Sequence, residues 1–210
     1  MKRCLIFGGG EMKDWRYIRR LIREDDFIIA ADGGYSHCTE MGIVPHLAMG
    51  DFDSYQGDVS KQCEILRFKK EKDDTDTMLA IKEAIARGYD ELALLGMTGG
   101  RMDHSLGNIQ ALVYAVKQGV SAYLLEKDLW ISAVAGERTI EVPRKDHAVL
   151  SVFSMTDRCT GVTLENLKYC LDNGTITNDF PIGISNEFLP DQNARISVKE
   201  GTLLLICTRP

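Results

Sequence analysis

His46-Leu47-Ala48-Met49-Gly50-Asp51-Phe52-Asp53-Ser54 sets the reading of this chain. An apolar run enters two carboxylates separated by one residue. Along an extended or gently turning backbone, side chains two apart project to the same side, so Asp51 and Asp53 face together. Two carboxylates so placed at the exit of a short buried strand repel each other unless a cation lies between them. Mg²⁺, a hard ion that prefers oxygen ligands, suits that position. The same residues also read as an Asp-rich turn, with Ser54 capping the next segment. The rest of the chain has to separate the two readings.

Toward the N-terminus, Cys4-Leu5-Ile6-Phe7 is an apolar run ending in Gly8-Gly9-Gly10. It reads as a buried strand entering a loop that lets a second backbone or a ligand come close. Apolar residues at Trp15, Ile18, Leu21 and Ile22 predict a helix over 15–22. Phe27-Ile28-Ile29-Ala30-Ala31 predicts a second buried strand, closed by Asp32-Gly33-Gly34. A helix over 35–41 follows, with Gly42 placed to end it. On the other side of the carboxylate pair, Ile65-Leu66-Arg67-Phe68 predicts a strand that feeds a charged loop. A helix over 75–87 is capped by Asp74 or Thr75 and stopped at Gly88. Leu92-Ala93-Leu94-Leu95, a helix over 105–118 and Ala122-Tyr123-Leu124-Leu125 continue the alternation. Strands alternating with helices imply a mostly parallel sheet with helices on both faces. From Leu129 the texture changes to short β-like runs at 130–134, 139–142, 148–153, 174–177, 194–198 and 203–207, with turns between them. The sequence thus predicts an α/β domain over 1–134 and an all-β sandwich domain over 135–210.

The 210 residues are ample for a core, and 44% apolar with 27% charged is ordinary for a soluble globular protein. The net charge of −6, with no basic block, argues against a nucleic-acid partner. The opening apolar run is too short for a signal peptide or a membrane span. Six scattered cysteines, without CxxC or zinc-ligand spacing, read as reduced thiols of a cytoplasmic protein.

In open α/β sheets ligands bind beyond the carboxyl ends of the strands. Those ends carry Asp32, then Asp51 and Asp53, then Asp73, Asp74 and Asp76, then Arg101 with Asp103 and His104. Four successive loops therefore deliver carboxylates or a cation to one rim, which favours a metal-dependent site over turn chemistry. Asp32-Gly33-Gly34 and Thr98-Gly99-Gly100-Arg101 let backbone N–H groups approach phosphate oxygens beside helix N-termini. Arg101 can hold two phosphate oxygens as a planar fork. Neither GxxxxGK[ST] nor GxGxxG is present, which argues against both familiar nucleotide-binding families. Each residue alone has a plainer reading. Gly33-Gly34 makes a tight turn, His104 sits at a helix start, and Asp76 complements a helix dipole. In the β region, Ser185-Asn186-Glu187-Phe188 and the stretch 161–169 read as sandwich corners, although a Ser-Asn pair beside an aromatic also suits a heteroaromatic ligand.

Taken together, these blocks resemble the thiamine pyrophosphokinase (thiamin diphosphokinase) family. The matching stretches are Ala31-Asp32-Gly33-Gly34, Gly50-Asp51-Phe52-Asp53-Ser54, Lys72-Asp73-Asp74-Thr75-Asp76, Gly99-Gly100-Arg101-Met102-Asp103-His104 with Asn108, and Ser185-Asn186-Glu187-Phe188. One departure is Cys170 after Lys168-Tyr169, where the resemblance leads one to expect proline. The resemblance implies a homodimer with the site at the subunit interface, and the reaction thiamine + ATP → thiamine diphosphate + AMP. It assigns Mg²⁺ to Asp51, Asp53, Asp73 and Asp76, and phosphate clamping to Arg101 with help from Lys72. ATP contacts fall to Asp32, Gly33, Gly34, Gly99, Gly100, Asp103 and His104, and the thiamine pyrimidine to Ser185 and Asn186. Two rivals share parts of this pattern. A pyrophosphokinase for a pterin alcohol would keep the rim and differ in the β domain. A non-catalytic thiamine or nucleotide sensor would need neither several metal carboxylates nor a phosphate-clamping arginine.

Overall fold

Apolar segments too short for helices and without a polar face can satisfy their backbone groups only by pairing with one another in a covered sheet. The first half of the chain does this. The computed structural model describes residues 1–12, 14–50, 63–68 and 73–209, and the chain divides into two units, Met1–Lys127 and Asp128–Pro210. In the first unit the elements run β1 (Arg3–Phe7), α1 (Trp15–Arg19), β2 (Phe27–Ala31), α2 (Gly34–Glu40), β3 (Leu47–Gly50), β4 (Glu64–Arg67), α3 (Asp76–Ala86), β5 (Glu91–Leu95), α4 (Met102–Lys117) and β6 (Ser121–Glu126). The strands lie in the order β6-β5-β1-β2-β3-β4, and each neighbouring pair is parallel. Every residue of β1 is buried. Leu5 and Phe7 face a cluster that includes Ile18 of α1 and Tyr35, Cys38 and Met41 of α2. Ile6, alternate to them, faces the other side, where α3 packs over β1, β2 and β3 and α4 packs on β6.

Two departures from the sequence pattern have one cause. The central strand begins at Arg3, a buried charge, and α1 stops at Arg19 although Leu21 and Ile22 still pack on the core. The Arg3 guanidinium donates from Nε to Asp26 Oδ1 at 2.7 Å, and from Nη2 to Asp26 Oδ2 at 2.6 Å and to the Leu21 carbonyl at 2.7 Å. Asp26 also accepts from the Arg23 N–H at 2.6 Å. A buried ion pair is tolerated when its remaining donors and acceptors are satisfied, and this one is. The Leu21 carbonyl is thereby drawn off the helical ladder.

The second unit holds β7 (Leu129–Ala135), β8 (Arg138–Val142), β9 (Val149–Ser154), β10 (Arg158–Glu165), β11 (Leu171–Thr177), β12 (Asn186–Glu187), β13 (Ala194–Val198) and β14 (Thr202–Thr208). Two antiparallel layers, β12-β9-β14-β7 and β11-β10-β13-β8, enclose a shared core. Leu150, Val152, Leu203 and Leu205 face Cys159, Val162, Ile196 and Val198. Because β7 pairs along its length with β14, the segment up to Ala135 counts with this unit, although the sequence pattern ended the first domain at residue 134.

Strand β10, like the two-residue β12, is an element the pattern did not reveal. Cys159, Val162 and Leu164 are buried, so the two-residue alternation slips once. The slip is a register shift between Thr160 and Val162, with Gly161 at φ +64°. A bulge of this kind admits one extra residue and scrambles the periodicity. Among the described residues no helix is long and apolar enough to cross a membrane. The six cysteines are free thiols, all buried except Cys170.

Candidate active site

From β1 the sheet builds outward through β2, β3 and β4 on one side and through β5 and β6 on the other. The chains leaving β1 and β5 therefore diverge, and a crevice opens beyond their carboxyl ends. A cavity of about 730 Å³ lies there. It is lined by Gly8, Gly9, Gly10 and Glu11 after β1, by Ala31 and Asp32 of β2 and its exit, and by Asp74, Thr75, Asp76 and Thr77 at the start of α3. Met97, Gly99, Gly100 and Arg101 after β5 and Asp103, His104, Gly107 and Asn108 of α4 complete it.

The β1–β5 pairing continues past the strand ends, since the Gly8 and Gly10 N–H groups donate to the Leu95 and Gly96 carbonyls at 2.8 Å each. The β5 exit is braced by side chains. Asn108 Nδ2 donates to the Met97 carbonyl at 2.8 Å, and the Thr98 hydroxyl bonds the Glu126 carboxylate. Gly99 and Gly100 then take φ of +88° and +67° in succession, a path that side chains resist. It delivers Arg101 to the N-cap of α4.

The Arg101 fork is engaged there by Asp103, with Nε at 3.1 Å from Oδ1 and Nη2 at 2.5 Å from Oδ2. Those hydrogen bonds push the Asp103 carboxyl down to about 2, so both partners are charged at neutral pH. Both side chains are exposed, at 72% and 63%. Water screens exposed pairs so that they stabilise little, and an incoming phosphate can take the place of Asp103 at small cost.

The carboxylates divide. Asp32 lines the cavity with a left-handed backbone (φ +45°), its N–H donating to Met49 at 2.7 Å. Gly50 packs on Asp32, where a Cβ would stand 3.1 Å from the Asp32 Cα. Thr75 caps α3 by accepting from the Met78 N–H at 3.2 Å, which sets Asp76 in the first turn, on the cavity. Asp74 lines the cavity and is bonded to Lys82 Nζ at 2.6 Å, whereas Asp73 is exposed and outside the lining. Asp51, Asp53 and Lys72 lie outside the described residues. Among the described residues no three acidic, histidine or cysteine side chains gather to hold a metal. The all-oxygen donors at the rim nevertheless have the chemistry that Mg²⁺ takes.

Gly33 and Gly34 do not line the cavity. A Cβ on Gly34 would lie 2.0 Å from the Phe7 carbonyl oxygen, and one on Gly33 would lie 3.1 Å from the Gly9 Cα. Their visible role is to let α2 press on the β1 exit. The sequence reading lets a ligand approach Gly8–Gly10 but names neither Glu11, which lines the cavity, nor Glu126, which bonds Thr98. The glycine run at the end of an apolar strand was the usable signal.

Models of two protein families match the chain. One, the thiamin pyrophosphokinase catalytic domain, covers residues 18–124, and the other, the thiamin pyrophosphokinase vitamin B1 binding domain, covers 137–203. The chain belongs to the thiamin pyrophosphokinase family. The thiamine pyrophosphokinase of Bacillus subtilis (strain 168) is 32% identical over 212 aligned positions, spanning 98% of each chain. A crystal structure of thiamine pyrophosphokinase from Bacillus subtilis superposes with a TM-score of 0.89 at 28% identity, covering 100% of both chains. One from Geobacillus thermodenitrificans gives 0.85 at 26% identity, over 99% of this chain and 98% of that one.

In the thiamin pyrophosphokinase B1-binding unit, Ser185 is exposed with φ +57°, and its N–H donates to Ser151 Oγ at 3.0 Å. Asn186 is buried and both ends of its amide are engaged. Oδ1 accepts from the Tyr169 and Glu187 N–H groups at 3.0 Å each, and Nδ2 donates to the Tyr169 carbonyl at 2.7 Å. This clip presents Tyr169, which is 63% exposed. Cys170, at the expected proline, turns its thiol to the Leu167 carbonyl at 3.1 Å. Asn186→Ala is expected to strand three backbone groups and to lower unfolding free energy by roughly 1–3 kcal/mol, read by urea denaturation. An unchanged midpoint would show that the clip contributes nothing.

Proposed function

We propose that the cavity between the β1 and β5 exits receives ATP, and that the chain transfers its pyrophosphoryl group to the hydroxyl of thiamine. The observation that carries this reading is the meeting of glycine backbone, a phosphate-competent arginine fork and rim carboxylates in one crevice of a thiamin pyrophosphokinase catalytic domain. The thiamine hydroxyl oxygen bonds to the β-phosphorus while the bridging bond to the α-phosphate breaks, and AMP leaves with the electron pair. A rim carboxylate accepts the hydroxyl proton. Arg101 exchanges Asp103 for phosphate oxygens as charge builds on them, with Lys72 assisting. Asp51, Asp53 and a carboxylate from Asp73 or Asp76 would hold Mg²⁺, which would supply neutralisation of the phosphate chain. The Gly99-Gly100 turn brings backbone N–H groups and the α4 N-terminus toward the same oxygens. Asp32, Asp103 and His104 border the nucleotide, and the Gly33-Gly34 packing fixes the wall behind it. Ser185 offers its hydroxyl to the pyrimidine, with Asn186 holding the Tyr169 corner beside it.

The enzyme works in the cytoplasm as a homodimer with the site at the subunit interface, and light scattering at micromolar concentration tests the assembly. The vitamin B1 binding match of the second unit favours thiamine over a pterin alcohol, and the Arg101 fork favours catalysis over sensing. The test is AMP release from ATP and Mg²⁺ with and without thiamine, with the product weighed by mass spectrometry. Thiamine-dependent AMP and thiamine diphosphate are expected. Thiamine monophosphate with ADP would overturn the pyrophosphoryl step, and AMP release indifferent to thiamine would overturn the substrate.

A further inference from the structure

We infer that His37 is a positioning residue for this reaction, fixing the glycine wall of the cavity through the Gly10 carbonyl; the inference rests on the cavity being the ATP site. His37 stands on α2 and is not among the lining residues. Its side chain is 18% exposed, and its Nε2 lies 2.8 Å from the Gly10 carbonyl oxygen. A carbonyl can only accept, so Nε2 carries the proton, while Nδ1 faces Glu40 Oε2 at 4.0 Å.

The other half of Gly10 is also held. Its N–H donates to the Gly96 carbonyl at 2.8 Å. A Cβ at Gly10 would stand 2.6 Å from the Thr98 carbonyl oxygen and 2.7 Å from that of Gly96. No side chain can therefore steady this residue from within, and a glycine left to itself samples more backbone states than any other residue. The imidazole packs on the β5 exit as well, since a Cβ at Gly96 would be 3.5 Å from His37 Cδ2. The exits of β1 and β5 and helix α2 thus meet around one residue.

The consequence reaches the cavity through peptide planarity. Fixing the Gly10 carbonyl fixes the Glu11 N–H, which points the opposite way across the trans peptide. Glu11 and Gly10 both line the cavity. His37 therefore orders a wall it does not itself form.

The test compares His37→Leu, which removes the donor, with His37→Gln, whose amide N–H₂ reaches nearly as far, in the full chain with ATP, Mg²⁺ and thiamine. His37→Leu is expected to raise KM for ATP about tenfold, the weight of one lost hydrogen bond, with kcat and the KM for thiamine far less affected. His37→Gln is expected to restore KM to within about threefold of the parent. Equal KM values in all three proteins, or an equal rise in both substrates' KM, would overturn the inference. A parent enzyme that fails to turn over ATP with thiamine would instead overturn the functional reading. If His37→Leu does not fold, long-range ¹H–¹⁵N spectra of the unaltered protein decide the point without activity. A protonated Nε2 with a slowly exchanging proton supports the bond, and an Nδ1–H tautomer overturns it.

Discussion

Asp53→Asn is expected to fold as the parent does and to lose on the order of a hundredfold or more in turnover. The side chains are nearly the same size, so packing is preserved and the loss is one of charge. Asp51 and Asp53 are an acidic pair separated by one residue, directly after Gly50, which touches Asp32 at the cavity. Without metal, two adjacent carboxylates repel, so the variant is expected to unfold at the same temperature as the parent or slightly higher. Mg²⁺ should raise the unfolding midpoint of the parent with nucleotide present, and much less that of Asp53→Asn. Turnover within about threefold of the parent would remove Asp53 from the proposed metal site, since threefold is well under 1 kcal/mol of barrier.

Gly34→Ala is expected to give the largest loss of stability of any single methyl addition at a described glycine of the first unit. The added Cβ would fall 2.0 Å from the Phe7 carbonyl oxygen and 2.5 Å from its carbon. Both atoms belong to a fully buried central strand that cannot retreat without opening the sheet. Overpacking in a yielding core costs about 1–3 kcal/mol, and backbone atoms yield least. Against a total of roughly 5–15 kcal/mol, a cost at the upper end removes about a fifth or more of the stability, so a clear fall in the unfolding temperature is expected. Gly107→Ala is the counter-case. Its Cβ position on α4 is open, and alanine is favoured over glycine within a helix by roughly 1 kcal/mol. Thermal unfolding of both variants checks the contrast, and equal midpoints would deny that backbone contact makes Gly34 necessary.

The alternation of the first unit was legible because its strands are continuous apolar runs and its helices end at glycines, as Gly42 and Gly88 do after α2 and α3. Arg3 was hidden because its stabilising partner Asp26 is remote in sequence, so nothing local marks the charge as buried. β10 was hidden because Gly161 breaks the alternation that reveals a strand. In the site, Arg101 could be found because the two glycines before it have few other uses. The resemblance picks Asp73 over Asp74 for the metal, whereas it is Asp74 that lines the cavity, since which carboxylate meets the cavity depends on how Thr75 caps α3. The packing role of Gly33 and Gly34 against the β1 exit was equally out of reach. It follows from β1 lying between β2 and β5, a long-range fact that no window of sequence contains.

The pairing of Arg101 with Asp103 gives the free enzyme a tethered counter-ion. Anion capture at this rim is then an ion exchange rather than an addition. A chloride or a single small phosphate must displace a carboxylate that is already in place and cannot diffuse away, and it gains few new contacts in return. A triphosphate in the proposed site would offer oxygens along the width of the crevice and replace the lost pair with several contacts. Because the pair is exposed the exchange itself costs little, so selectivity for phosphate chains over small anions is expected to come from the further contacts a chain makes.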